Sequence, residues 1–443
     1  MEGWKLKLRG NMAIDAQGHL HIAGNDTVDL ARRFGTPLYI IDEDLVRDIC
    51  RQYRQEFIEK AGGEVLYASK AFLTLAMCKL IQEEGLGLDV VSGGELFTAL
   101  QAGFPSNRIY FHGNNKQPDE LKLALQSRVG RIVIDNIREI DLVEQIAESE
   151  NIRAQVLLRV TPGVEAHTHE YIKTGQIDSK FGFTVPNGDA MRALQYALTK
   201  SRLIVSGLHC HIGSQIFDMN SFGHAAGIMM QLLKDMKTQL AWEAQELNLG
   251  GGFGIFYADG DTPASIASYA EAVLQVVGQK SAELNLSRPK IIVEPGRSII
   301  AEAGTTLYTI GSIKNIPGVR TYLAVDGGMT DNPRYALYKS RYEACIANKA
   351  DQPAEELVTI TGKCCESGDM LIWDIALPKA ESGDLLAVAC TGAYNYSMSM
   401  NYNRIGRPAV VLVKAGEADI IVERESYLDL IRNDRIPPRM QRQ

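Results

Sequence analysis

Short apolar runs recur along this chain at a spacing that few folds can accommodate. Tyr67, Leu88, Tyr110 and Val133 sit in such runs about 22 residues apart, each followed by a helix-like segment such as Gly94 to Ala102 or Asp119 to Leu125. Four more runs follow, Gln155 to Arg159, Val205 to His209, Glu246 to Gly250 and Lys290 to Glu294, separated by longer helical insertions. Eight strands with a helix after each is the count that closes a parallel (β/α)8 barrel of the TIM type, whose site belongs at the carboxyl ends of the strands. A doubly wound open sheet competes, but no G-x-G-x-x-G follows the first strand.

The flanks read differently. Gly35-Thr36-Pro37 leads into Leu38 to Ile41, then a helix from Glu43 to about Lys60 with Leu45, Ile49, Tyr53 and Phe57 as its apolar stripe. After about Ile300 the pattern becomes strands joined by turns: Thr306 to Ile313, Thr321 to Val325, Leu357 to Thr361, Met370 to Ala376, Leu385 to Thr391, and Ala409 to Lys414 turning at Gly416 into Ile420 to Glu423. The expected fold class is therefore α/β plus all-β. The barrel spans 37–300, and a C-terminal β-sandwich or Greek-key β-barrel domain spans 301–443 with 1–36, taking the N-terminal strand Gly18 to Ile22. Tyr427 to Ile431 reads as a last short helix.

A net charge of -8 without a basic stripe argues against nucleic acid or an anionic membrane as partner, and favours a small molecule. Seven cysteines without zinc-like paired spacing fit reduced thiols in the cytoplasm. No run of about 20 apolar residues suggests a membrane span, and Met1 to Met12 lacks the apolar core of a secretion signal.

The predicted strand ends carry Lys70, Asp89 with Ser92, His112 with Asn114 and Asn115, Asp135 with Asn136, Arg159, His211, Gly250-Gly251-Gly252 and Glu294. Glycines let backbone N–H groups approach an anion, and the loops after strands seven and eight of such barrels commonly hold phosphate; here they are Gly250 to Gly254 and Glu294-Pro295-Gly296-Arg297. A phosphate site, a rim lysine and a carboxylate in one mouth suggest pyridoxal phosphate. Lys70 is the expected Schiff-base lysine, the glycines and Arg297 the phosphate ligands, and Glu294 the group that keeps the pyridine nitrogen protonated. His211 is placed to stack on the ring and Ser214 to add a phosphate hydrogen bond. His209 and His211 share a strand face, but no acidic or cysteine partner lies nearby at ligand spacing, so no metal is expected. Farther on, Cys364-Cys365-Glu366 puts thiols beside a carboxylate, while Arg334, Tyr338 and Tyr394 suit a carboxylate or phosphate.

YASKAF, GLGLDVVSGGEL, FHGNNK, TGQIDSKFGF, HCHIGSQ, LNLGGGFG, EPGR, DGGMTDNPR, CCESGD and GAYNYSMSMNYNR follow one another in this order. In this the chain resembles the diaminopimelate decarboxylase family of fold-type III pyridoxal-phosphate enzymes over nearly its whole length. The resemblance implies a head-to-tail homodimer that decarboxylates meso-2,6-diaminopimelate at its D-centre, giving L-lysine and CO2. By motif, Lys70 matches the Schiff-base lysine, His211 the stacking histidine and Glu294 the pyridinium partner. Ser214, Gly251, Gly252, Gly296, Arg297 and Tyr394 match cofactor-phosphate or neighbouring positions, with Tyr394 also counted toward substrate. Arg297, Arg334 and Tyr338 match the grip on the distal L-carboxylate, and Glu366 the residue facing the distal amine. Cys365, and not Cys364, matches the proton donor; in the family Cys365 and Glu366 serve the other subunit's site. Phe72 stands where many members have Asn and Tyr335 where many have Pro, which touches pocket shape only.

The nearest rivals are a related decarboxylase of a basic amino acid or carboxylated polyamine, a non-catalytic cofactor carrier, and a racemase. Two arginines, Arg297 and Arg334, favour a substrate with a second carboxylate.

Overall fold

Eight strands form where the apolar runs predict them: β1 (Glu64–Ala68), β2 (Gly87–Val90), β3 (Ile109–Phe111), β4 (Arg131–Ile134), β5 (Ala154–Thr161), β6 (Leu203–His209), β7 (Glu246–Asn248) and β8 (Lys290–Val293). The computed structural model describes residues 7–164 and 178–441, so Thr174 to Ile177 of the TGQIDSKFGF motif and the first six residues lie outside the described residues. Each strand pairs in parallel with the next, and β8 pairs with β1, closing the sheet and leaving it no edge. Leu66, Tyr110, Val133, Leu157 and Ile292, from β1, β3, β4, β5 and β8, form one buried cluster. The short strand Phe183–Thr184 adds to the end of β5.

The helices between strands begin at polar caps. Thr74, Ser92 and Asn136 accept from Met77, Glu95 and Glu139 N–H groups to start Leu75–Glu83, Gly93–Gln101 and Ile137–Ser149, each cap contributing about 1 kcal/mol. Ser92 and Asn136, expected among the polar groups at the strand ends, are thus engaged in holding helices. The helix before the barrel is α from Glu43–Tyr53 and continues as a π-turn over Arg54–Glu59. It buries Val46, Cys50, Tyr53 and Phe57 while Leu45 and Ile49 stay half-buried, so its apolar face is rotated from the expected stripe.

The chain divides into Val46–Ile300 and a second unit of Met1–Leu45 with Ala301–Gln443. This corrects the barrel's expected start at residue 37. Leu38–Asp42, buried at all five positions, belongs to the second unit's sheet, antiparallel to Gly304–Leu307 and parallel to Ala409–Val413. A continuous apolar run of this kind marks a strand buried on both faces, and its central place in that sheet pairs its backbone on both edges. The N-terminal strand is also corrected: Leu20–Ile22 pairs with Met12–Ile14 and Asn25–Asp26 in a three-stranded sheet of its own. It meets the larger sheet through its core, Leu20 and Ile22 packing with Leu38, Ile40, Leu307 and Val411, and through a hydrogen bond from Gly416 N–H to the Ala23 carbonyl.

The large sheet runs in the order 370–377, 356–361, 320–325, 304–316, 38–42, 409–414 and 417–422. Its longest strand, Gly304–Ile316, changes partners midway: Thr305 to Thr309 pair with Leu385–Ala389, and Ile313 to Ile316 with Arg320 to Leu323. Ala344–Ile346, too short to stand out in the sequence, pairs with Leu385–Ala389. The turn at Ala415 and Gly416 has φ of 48° and 85°, the left-handed pair of a two-residue hairpin. No described helix is long and apolar enough to cross a membrane.

Candidate active site

β1 ends in a single 3-10 turn, Ser69–Ala71, in which Ser69 and Ala71 are buried and Lys70 is exposed. The lysine therefore leaves the strand at its carboxyl end, and its charge bears on Asp89 after β2 and on His211 after β6.

Glu294, one residue past β8, is buried and met from three other strands. Asn248 Nδ2 donates to its Oε1 at 2.6 Å, His209 Nε2 lies 3.1 Å from Oε2, and His112 Nε2 lies 2.8 Å from Oε1. Burial opposes the ionisation of Glu294, but the two imidazoles outweigh it and hold its carboxyl well below the usual range. Burial has the opposite outcome at Asp89, 3.7 Å from His112, whose carboxyl is raised. His209 is pushed down to about 4 by burial, so its ring is neutral and donates from Nε2. In the sequence His209 has no acidic partner at ligand spacing; the fold brings both Glu294 and His112 to it. One ring nitrogen of each histidine and one carboxylate oxygen of Glu294 lie within 4.8 Å of one another, with both imidazoles approaching the carboxylate to 3.1 Å or less.

His211 is half-buried and its pKa lies well below the usual value, through loss of water and then the nearby positive charge of Lys70. Gly251 N–H points at its Nδ1 at 3.3 Å, leaving a flat, neutral ring in fixed orientation. A side chain at Gly251 is excluded, since its Cβ would fall 2.1 Å from the carbonyl oxygen of Glu294, and Gly252 has φ of 106°. Gly296 lies against Ala68 of β1. Next to it Arg297 is buried, donating through Nη2 to Ser214 Oγ at 2.9 Å and through Nη1 to the Tyr257 hydroxyl at 2.8 Å.

On the other side of the mouth, Arg159 Nε is 3.8 Å from Asp135 Oδ1 and its guanidinium lies 4.2 Å over the Phe181 ring. Buried Lys116 donates to Gly113 and Val133 carbonyls and sits 2.7 Å from Glu139, whose Oε2 accepts from Asp135 N–H. Ser69 Oγ, Asp89 Oδ1, His112 Nε2, His209 Nδ1 and Asp135 Oδ1 are buried with no hydrogen-bond partner. Folded proteins leave few such atoms, and five at one end of a barrel mark a site built for a polar guest.

In the second unit, Arg334 is buried and donates through Nη1 to Tyr342 at 2.8 Å, and Tyr342 in turn to Asn395. Tyr338 closes the short helix Arg334–Tyr338, half-buried. Tyr394 has φ of 60°, a costly conformation for a bulky side chain that the surrounding fold must enforce. Cys365 and Glu366 are exposed, with Cys365 N–H bonded to Asn403. Cys364 is half-buried, its thiol pushed up to about 12 by burial and by neighbouring Asp369.

Asn248 and Tyr257 were not singled out from the sequence. Asn248 carried a signal, an amide ending an apolar strand two residues before the glycines; Tyr257 carried none. His112 was legible as a strand-end residue, but its contact with Glu294 was not.

Residues 43–301 match the family model described as "Pyridoxal-dependent decarboxylase, pyridoxal binding domain". The chain is 54% identical over 417 residues to the diaminopimelate decarboxylase of Bacillus methanolicus, covering 94% of this chain and 96% of that one. It is 52% identical to the Bacillus subtilis enzyme of the same name, covering 96% and 98%. A crystal structure of diaminopimelate decarboxylase from M. jannaschii in co-complex with L-lysine superimposes with a TM-score of 0.90 at 36% identity, covering 97% of this chain and 99% of that one.

Proposed function

The chain belongs to the diaminopimelate decarboxylase family, and from that premise we propose that it uses pyridoxal 5'-phosphate to decarboxylate meso-2,6-diaminopimelate at its D-centre, releasing L-lysine and CO2. The observation that carries the cofactor reading is Glu294. An ionised carboxylate has about four lone-pair sites. His209 and Asn248 occupy two of them, and Oε2, which meets only His209 of these, keeps one for a pyridine N–H.

Lys70 is the covalent anchor, His211 covers the ring face, and Ser214, Gly251, Gly252, Gly296, Arg297 and Tyr394 hold the phosphate. When bound, the cofactor supplies an electron sink for the charge left as CO2 departs. The chain's own residues do the rest. Arg297, Arg334 and Tyr338 grip the distal L-carboxylate, and Glu366 faces the distal amine, so the D-centre alone is presented for reaction. Cys365 delivers a proton to the carbon that has lost CO2. Each subunit of a homodimer supplies Cys365 and Glu366 to the other's site, a reading supported by the exposure of both residues in the isolated chain. Seven free cysteines support work in the cytoplasm.

The test is CO2 release by purified protein with pyridoxal phosphate, offered separately meso-, LL- and DD-diaminopimelate, L-ornithine, L-arginine and L-lysine. Turnover confined to the meso isomer with L-lysine as product is expected. Turnover of a basic amino acid would overturn the roles of Arg297 and Arg334, and no release from any substrate would overturn the enzyme reading.

A further inference from the structure

We propose that His112 is a positioning residue: its imidazole, wedged between Asp89 and Glu294, fixes the carboxylate of Glu294 in the place that the ring nitrogen of the cofactor requires. The inference rests on the cofactor reading above and deepens it at a residue to which that reading gives no role.

The geometry carries it. His112 lies one residue past β3 and is 3% exposed, so its ring is committed to the barrel mouth. Its Nε2 is 2.8 Å from Glu294 Oε1 and 3.7 Å from Asp89 Oδ1, yet it is misaligned for a hydrogen bond to either. Asp89 Oδ1 is likewise buried without a hydrogen bond. Two buried carboxylates facing one unbonded imidazole nitrogen form a site that a small ring rotation completes, and such contacts often tighten only when the ligand is in place. The His209 ring, edge-on at 4.8 Å between centroids, limits how far His112 can turn. Its backbone loop is fixed as well, because Lys116, whose own charge is matched by Glu139, bonds the carbonyl of Gly113 to that of Val133 at the end of β4.

The charged and titratable groups around the pair come from most of the strand ends: Glu95 senses both Asp89 and His112, and Arg159, Cys210 and His211 sense Glu294. Asp89 comes from β2, His209 from β6 and Glu294 from β8, with the charges of Lys70 and Arg159 also bearing on Asp89. Among them His112 touches the two acids, which burial alone would drive the same way and which part company here. Asp89 is shifted toward its protonated form, whereas Glu294 is held ionised.

The test is His112→Phe, which keeps the ring shape and removes both nitrogens, with His112→Gln as the variant that keeps an N–H donor. Cofactor absorbance and affinity are followed from pH 3 to 9 on the holoenzyme, alongside kcat and KM. For His112→Phe the expected result is a fall in kcat of about tenfold, the scale of one lost contact to a charged group, with KM little changed. The acid limb of cofactor binding should move to higher pH by about one unit, since Glu294 then protonates more easily. His112→Gln should recover part of both. A folded, loaded His112→Phe protein with the wild-type pH profile and kcat would overturn the proposal. If the wild-type protein binds no pyridoxal phosphate, the cofactor reading fails instead. His112 is then decided by the side-chain carboxyl carbon signal of Glu294, identified by its loss in Glu294→Gln. That signal should stay ionised to lower pH in the wild type than in His112→Phe, and equal profiles would overturn the proposal.

Discussion

Arg297 and Ser214, which follow the eighth and sixth barrel strands, are joined by a guanidinium-to-hydroxyl hydrogen bond of 2.9 Å. The hydroxyl thus orients the arginine's planar donors before any anion arrives, and a second bond to Tyr257 fixes the other end of the fork. Ser214→Ala is expected to raise the dissociation constant of pyridoxal phosphate about tenfold, the scale of one hydrogen bond to a charged group. Fluorescence titration of cofactor-free protein measures it, and an unchanged constant would remove Ser214 from the phosphate site.

The pH dependence of stability follows from His209. Its folded pKa of about 4 lies below the ordinary 6.5, so its contribution is fully present above pH 6.5 and is lost as pH falls toward 4, where only the unfolded chain takes up the proton. His209→Gln should be less stable than wild type at pH 7 but lose less between pH 6.5 and 4. Urea unfolding of cofactor-free protein at a series of pH values checks this; parallel curves would show that the fold does not lower the pKa of His209.

Two glycines give opposite forecasts. At Gly251 a Cβ would meet the Glu294 carbonyl, whereas at Gly278, inside the helix Ile266–Glu283, it would meet nothing within 4 Å. Gly251→Ala should cost about 1–3 kcal/mol as an overpacked position and weaken cofactor binding. Gly278→Ala should gain roughly 0.5–1 kcal/mol from lost chain entropy. Denaturant midpoints of the two variants decide both.

Adjacent thiols separate by environment. Cys364, half-buried beside Asp369, holds its proton too tightly to be the donor, while Cys365 is exposed and available to a site. Cys365→Ala should load cofactor normally and lose about a hundredfold in turnover, the lower end of what one positioned acid contributes. Cys364→Ala should keep most of its activity. Steady-state CO2 release measures both, and the reverse pattern would exchange their roles.

The barrel was legible because each of its strands is a separate apolar run with helix signals after it, and because closure follows from their number. Leu38–Asp42 shows where that reasoning ends: a buried run declares that it is a strand but not which sheet takes it, and its place beside the barrel sequence pointed the wrong way. Lys70, His211, Glu294 and Arg297 could be proposed for the site from the motifs around them, and the fold puts each at the carboxyl end of a barrel strand. The contacts that tune them could not be read that way. Asn248, His112 and Tyr257 act across strands and loops far apart in the chain, and only the folded register brings them to Glu294 and Arg297.

The pairing of Leu38–Asp42 with Gly304–Leu307 and Ala409–Val413 sets an order of events during synthesis. A ribosome releases the first strand long before either neighbour exists, while the barrel has every strand it needs once residues near 300 have emerged. The barrel can therefore close on the nascent chain, and the leading strand waits, apolar and unpaired, until its two neighbours are made.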